Sequence, residues 1–467
     1  MGRTVTVDPV TRIEGHAKII LDLDDGGKVL GGHLQVLEIR GFEKLVERME
    51  LFKMPQIIAR ICGVCPAAHH LASVIAIENG LGVAPPKEAL FLRELLYMGH
   101  ILHSHTLSTF FLAGPDILMG MSGGGEARNV FGLLELDPEL GKKVLRLRSI
   151  GQRIVETVGG RGVHPVAAIP GGMAARPDGE ALARIAEWGK EALCLLDELL
   201  PKVYGHLAAL EELRGAALLP SHSIALSNEG GVDFLSGEAV VTDGEGKPVK
   251  RFAASAYADH LSEHVMPASY MKSVRLRDGG GVSYFVGPLA RLNTNNHFTT
   301  PRANAALAEF HAKGRPRLSA VDYIEARLVE MLHCAERMVE IVEKELSNGE
   351  LRVAAEAKEG RYIGMVESPR GILVHDYSAD GEGRIREANL IVATQNNYDA
   401  IDSAITSVAG HFMEKNNDDM LLNGMEFTLR CFDPCLSCAT HAAGRMPMEI
   451  VIRHGEDIVR TISRRFD

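Results

Sequence analysis

Two short stretches near opposite ends of the chain carry paired thiols: ARICGVCPAAHH at 59–70, with Cys62 and Cys65, and RCFDPCLSCATH at 430–441, with Cys435 and Cys438. A C-x-x-C unit suits a zinc knuckle, a dithiol switch or an iron-sulfur cluster equally well, so neither pair decides anything alone. A zinc ribbon spaces its pairs about 15 to 20 residues apart. Here 370 positions separate Cys65 from Cys435, so any convergence must happen inside the assembled fold. Four soft thiolates suit nickel, zinc or iron. They also bring four negative charges, and sulfur can bridge two metals. A dinuclear centre is therefore chemically reasonable, and iron or nickel would give it a redox capacity that zinc lacks.

Cys431 raises a different alternative, because with Cys435 and Cys438 it forms C-x3-C-x2-C, the spacing of the radical S-adenosylmethionine cluster. That motif precedes most of a β/α barrel, and too little chain follows Cys438 to build one. Cys194 and Cys334 lie inside amphipathic helical runs and are expected in the core, where free cysteine behaves as a small hydrophobe.

Composition narrows the function classes. The chain of 467 residues is long enough for several domains or one large layered unit. A net charge of −11 and a pI near 6.0 argue against a nucleic-acid partner and against a polybasic membrane surface. Seven cysteines are too few and too unevenly placed for a disulfide framework, which fits a reducing cytoplasm. The first residues show no apolar run behind a basic start, and no stretch is apolar enough to span a bilayer. MGRTVT does fit a myristoylation pattern, with Thr6 in the Ser/Thr position, but an ordinary strand start is the plainer reading.

The elements that must position the thiols follow from periodicity. The first 40 residues alternate apolar and polar around DDGG, a hairpin pattern. Helical spacing then dominates, in PKEALFLRELLYMGHILHSHTLSTFFLAG, DPELGKKVLRLRSIGQRIVETVGG, DGEALARIAEWGKEALCLLDELLPKVYGHLAAL and SAVDYIEARLVEMLHCAERMVEIVEKELSNG, with Pro, Asp or Ser at the starts and Gly at most ends. The expected fold is mainly α with small β subdomains, an α+β arrangement around a central bundle of long helices. The segments are an N-terminal hairpin region (1–48), a first helical part with the first thiol pair (49–214) and a mixed insertion (215–300). A second helical part (301–358), a hairpin region (359–395), a C-terminal helix with the second thiol pair (396–441) and a C-terminal extension (442–467) complete the chain.

DPVTRIEGH (8–16), RGFE (40–43), RICGVC (60–65), ESPRG (367–371), LIVAT (390–394) and DPCLSCATH (433–441), in this order, make the sequence closely resemble the large, catalytic subunit of nickel-iron hydrogenases over essentially its whole length. RGFEK and DPCLSCATH look most similar to the cytoplasmic, multimeric group, which couples hydrogen to NAD(P) or to heterodisulfide chemistry. The resemblance implies a nickel-iron centre whose iron carries one CO and two cyanides. Cys62 and Cys435 would be terminal nickel ligands, and Cys65 and Cys438 would bridge nickel to iron. Hydrogen is split heterolytically there, a nearby base taking the proton.

The resemblance also assigns roles around that centre. Arg370, in the SPRG turn with Pro369, would place a permanent cation over the thiolates and cyanides, and Asp433 would orient it. Thr394 would donate its hydroxyl to a cyanide. Glu14 would relay protons between Cys435 and the exterior. His69 would hydrogen-bond near the bridging sulfur, while His70 is ordinary packing or interface. Glu43, the Leu390 carbonyl and His441 match a magnesium site. Ser104 stands where many membrane-bound relatives have an acidic residue that helps hold the arginine.

After His441 the resemblance implies cleavage of the tail by a maturation endopeptidase once nickel has been inserted with its insertion factors, between His441 and Ala442. The sequence then reads as a precursor. No further cysteine set is left for an iron-sulfur relay, so a partner must carry the electrons away; the resemblance implies an iron-sulfur small subunit, with further diaphorase or heterodisulfide-reductase subunits. The Gly-rich stretch 159–173 suits that interface, a gas channel or a purely structural loop equally. The rivals are a coupling subunit like the related Complex I protein, which lacks the paired cysteines, and a structural zinc protein.

Overall fold

The helices Lys87–Thr106, Pro138–Gly159, Gly179–Leu207 and Asp322–Glu340 form the centre of the molecule. The computed structural model describes residues 3–121, 128–267, 269–277, 281–440, 448–454 and 457–464, the last two as backbone alone. Local chemistry starts and stops these helices. The Asp137 and Asp178 side chains accept from the backbone N–H groups of Leu140 and Ala181 at the second and third N-termini. Gly160, in the left-handed conformation, closes the second. Along that helix Leu140, Val144, Leu147, Ile150, Ile154 and Val158 are buried at helical spacing.

Helix Lys87–Thr106 packs between Pro138–Gly159 and Asp322–Glu340, and the latter also packs on Gly179–Leu207. Cys334 lies in this core, as its periodicity predicts, but Cys194 does not: it is exposed. Its helix buries Ile185, Gly189, Ala192, Leu196 and Leu199, and position 194 falls on the opposite side of that stripe.

Small sheets pack against the bundle. The N-terminal hairpin Ala17–Leu23 with Val29–Val36 forms as expected, and Arg3–Val7 adds a third antiparallel strand. The second expected hairpin is a three-stranded meander of Gly360–Ser368, Gly371–Ala379 and Ile385–Ile391. The insertion carries a four-stranded sheet with one parallel edge pair, Tyr284–Phe285 beside His222–Ser227. Helix Pro66–Leu81 lies on the meander, and helix Tyr398–Glu414 lies on strand Val29–Val36.

The Gly-rich stretch is held internally. Arg93, paired with Glu78 at 2.6 Å, donates to the carbonyls of Ile169 and Gly172, and Gly171 N–H donates to Glu78. Those contacts support the structural reading of this loop. Among the described residues no helix is long and apolar enough to cross a membrane.

Candidate metal centre

Both thiol pairs sit at turns that feed helix N-termini. Cys62 is extended after the short helical turn Ala59–Ile61, and Cys65 immediately precedes Pro66, the first residue of Pro66–Leu81. Proline there needs no hydrogen bond and pre-sets the helical backbone. At the other end, helix Asp418–Phe432 stops at Asp433, which takes the left-handed conformation at φ 54°, and Cys435 opens the turn Leu436–Ala439.

The fold brings the pairs together. Cys62 and Cys435 sulfurs are 3.3 Å apart, Cys65 and Cys438 3.1 Å, and Cys435 and Cys438 3.1 Å. All four lie within 4.8 Å of one another and all are buried. Hydrogen bonds from Cys435, Cys438 and Cys65 hold the Cys62 thiol well below its usual pKa, with Val64 N–H adding to them. Cys435 is pushed up by the same contacts with Cys438 and Cys62, and Cys438 chiefly by burial. Four thiols packed this closely share protons in the absence of a cation. A soft cation would displace those protons, as ligation requires.

Two glycines permit the close approaches. Gly15, at φ +85°, brings the IEGH segment against the second thiol turn; a Cβ there would lie 2.8 Å from that of Leu436. Gly371, at φ +130°, lets the SPRG turn pass Val286, whose Cγ2 would be 2.3 Å from a Cβ. Leu436 N–H donates to the Glu14 carbonyl at 3.2 Å, and the half-buried Glu14 carboxylate accepts from Ser437 N–H at 3.0 Å and from its hydroxyl.

A small cavity of about 10 Å³ opens beside the sulfurs, lined by Cys65, Cys435 and Cys438 with His69, Arg370 and Thr394 among its walls. Arg370 donates from Nε to the Asp433 carbonyl at 2.6 Å and from Nη2 to its carboxylate at 3.0 Å. Burial alone would lower this guanidinium's pKa; the charges on Asp433 and the cysteines overcome it, so Arg370 stays cationic. Its Nη1 is buried without a partner. The Thr394 hydroxyl accepts from Cys435 N–H at 2.9 Å, which leaves its own hydrogen free to donate. Pro369 offers its carbonyl to Arg291 at 3.3 Å.

Sequence reading missed what holds that turn. Arg291 is fully buried, bidentate on Glu330 at 2.6 and 2.7 Å, and bound to Glu367 at 2.7 Å and to the Ser368 carbonyl at 3.1 Å. His105 completes the set at 2.6 Å from Glu330. Glu367 opens the ESPRG motif, the one available sequence signal for this network. Ser104 is buried and has no hydrogen-bond partner, so Asp433 supplies the carboxylate contact to Arg370. His70 makes no hydrogen bond to the sulfurs; its Nδ1 meets the Pro55 carbonyl at 3.0 Å.

Glu43 lies in the short helix Phe42–Leu45, which packs on the strand bearing Leu390. Its carboxylate is 2.8 Å from Arg40, yet both its oxygens are buried with no aligned donor. His441 and Ala442 lie outside the described residues.

The family described as nickel-dependent hydrogenase matches residues 40–119 and 239–441. The chain belongs to that family. It is 35% identical to the beta subunit of the NAD-reducing hydrogenase HoxS of Cupriavidus necator, over 97% of each chain. It is 36% identical to one subunit of the F420-non-reducing hydrogenase of Methanothermobacter marburgensis, over 94% of each. A solved structure of an NAD+-reducing [NiFe]-hydrogenase in the H2-reduced state superposes with a TM-score of 0.88 at 34% identity, covering 94% of this chain and 99% of that one. The expected enzyme class and helical fold are thereby established: the protein is a nickel-dependent hydrogenase catalytic subunit.

Proposed function

We propose that this chain works in a cytoplasmic, multimeric nickel-iron hydrogenase that passes electrons from hydrogen to a soluble carrier. The observation that carries the reading is the convergence of Cys62, Cys65, Cys435 and Cys438 within 4.8 Å beneath a buried cation. A Complex I-type coupling role has no use for four such thiols.

Cys62 and Cys435 would hold nickel terminally, and Cys65 and Cys438 would bridge it to iron. When bound, this centre supplies the site where hydrogen is taken up and split heterolytically. The chain does the rest. Arg370 Nη1 and the Thr394 hydroxyl have donors to spare for the iron's carbon monoxide and cyanide ligands, while Asp433 fixes the guanidinium. Glu14, joined by hydrogen bonds to the turn that carries Cys435, is set to accept the proton from that sulfur and release it toward the exterior. Glu43, with the Leu390 carbonyl and His441, would hold magnesium; its buried oxygens are hard ligands that meet Arg40 as an ion pair without an aligned hydrogen bond.

Among the described residues no second group of clustered His, Cys, Asp or Glu side chains with metal-ligand spacing exists. On this proposal the iron-sulfur relay lies in a partner subunit, followed by diaphorase or heterodisulfide-reductase components. Maturation would use nickel-insertion factors and an endopeptidase cutting after His441.

Metal analysis of the complex purified under anaerobic conditions tests the reading. Nickel and iron in equal amounts, lost on Cys62→Ser or Cys435→Ser, support it; zinc alone overturns it. Identification of the co-purifying subunits names the carrier.

A further inference from the structure

His375 and Tyr377 stand two positions apart on strand Gly371–Ala379 and therefore share one face of it. Helix Pro66–Leu81, with His69 in its first turn, packs on that sheet. Three buried side chains then form a continuous line. The Tyr377 hydroxyl is 2.6 Å from His375 Nδ1, and His375 Nε2 is 3.1 Å from His69 Nδ1. His69 in turn walls the cavity beside the sulfurs, with Nε2 as its remaining ring nitrogen.

Both imidazoles are buried, and along this line they meet each other and a tyrosine hydroxyl rather than a carboxylate, so neither ring has a partner for a positive charge. Each ring is then neutral and has one N–H, so the line can run in only two directions. Run outward, it leaves a bare lone pair on His69 Nε2, on the ring that walls the cavity beside the sulfurs. Run inward, Tyr377 donates to His375 Nδ1, His375 Nε2–H donates to His69 Nδ1, and His69 presents Nε2–H to the cluster. Electron-rich sulfur repels a lone pair and attracts an N–H, and His69 walls the same cavity as Cys65, Cys435 and Cys438.

We infer that His375 and Tyr377 are positioning residues, which fix His69 as the Nε2–H tautomer and hold that donor against the metal-binding sulfurs. The inference rests on reading the four cysteines as the metal centre, but its primary test does not require a metal.

The test is ring-nitrogen correlation spectroscopy on full-length chain labelled with 15N-histidine, His69 being assigned by the signal lost in H69Q. Wild-type protein should show His69 protonated on Nε2 alone; a proton on Nδ1 overturns the inference. Y377F should turn the single tautomer into a mixture. H375Q can still accept from Tyr377 and donate to His69, and should keep the tautomer, whereas H375L should lose it. In the loaded complex, H375L should lower turnover or metal retention about 10- to 100-fold, and H375Q should recover most of that loss. Equal losses in H375L and H375Q with an unchanged tautomer would leave only a packing role and sink the inference. Absence of nickel from the wild-type complex would count against the proposed function while the tautomer result stood.

Discussion

Asp433 meets Arg370 twice: its backbone carbonyl accepts from Nε at 2.6 Å, and its carboxylate accepts from Nη2 at 3.0 Å. The first contact exists because helix Asp418–Phe432 ends in a left-handed residue, which turns that carbonyl back toward the SPRG turn. Aspartate and asparagine tolerate this conformation better than other side chains. The same reversal sends the next residues, Pro434 and Cys435, into the sulfur cluster. One backbone feature therefore fixes both a ligand and the cation above it.

Asp433→Ala would leave Arg370 buried and without its carboxylate, and should destabilise the protein by about 3–5 kcal/mol. Asp433→Asn keeps the left-handed backbone and one acceptor, so it should cost less than half as much. Urea unfolding of the metal-free chain measures both. Equal stability of Asp433→Ala and wild type would show that the pair contributes nothing.

Glu14→Gln should keep nickel and iron contents while suppressing proton-dependent turnover at least tenfold, since general acid-base groups typically contribute about 10²–10⁴. The amide retains an acceptor for Ser437 and the backbone pairing with Leu436, so the thiol turn should stay in place. Hydrogen/deuterium exchange activity isolates the proton step. If it equals that of wild type at unchanged metal content, Glu14 is not the relay.

The thiol motifs are legible in the sequence because each is local: two cysteines, a turn and a helix start fit within a dozen residues. Helices such as Pro138–Gly159 are legible for the same reason, through an amphipathic stripe and an Asp-Pro start. What the sequence hides depends on long-range approach. Strand Arg3–Val7 pairs across Ala17–Leu23, and its alternation alone does not say whether it joins a sheet. Cys194 is misread because a small apolar residue inside an amphipathic run resembles core by type, although its position lies opposite the buried stripe. His375 is one polar residue in a strand, yet its partner His69 lies 306 positions away. Arg291, Glu330 and Glu367 come from three separate elements, and no spacing rule joins them.

The buried histidines set an acid limit. His70, His103, His105 and His333 are each lowered to about 4 by burial, against about 6.5 unfolded. Between these values the unfolded chain binds more protons than the native one. Their contribution to stability is therefore complete above pH 6.5, falls as pH drops toward 4, and levels off below. Each proton is worth about 1.4 kcal/mol per pH unit, so four together should remove several kcal/mol between pH 6.5 and 5. Glu330, held near 2 despite burial by Arg291 and His105, stays ionised through this window and adds to the loss only below about pH 4.5. Urea midpoints across pH 5–8 check this, and a flat profile below 6.5 would contradict it.

The tail makes the last prediction. Thr440 is buried, and its segment is tied back by Thr440 N–H to the Leu436 carbonyl at 3.2 Å and by bridge pairing with Met271. The chain thus leaves the metal centre from an enclosed point, only two residues beyond Cys438. Further along, Met448–His454 and Asp457–Arg464 pair with each other as an antiparallel hairpin. Cutting after His441, as proposed, would end the chain three residues beyond Cys438 and separate this hairpin from the segment that carries two of the ligands. Intact-mass measurement on nickel-loaded, active complex should find a chain ending at His441, while metal-free chain from the same cells retains all 467 residues. An active, nickel-bearing subunit with its tail intact would rule out processing as a condition of closure.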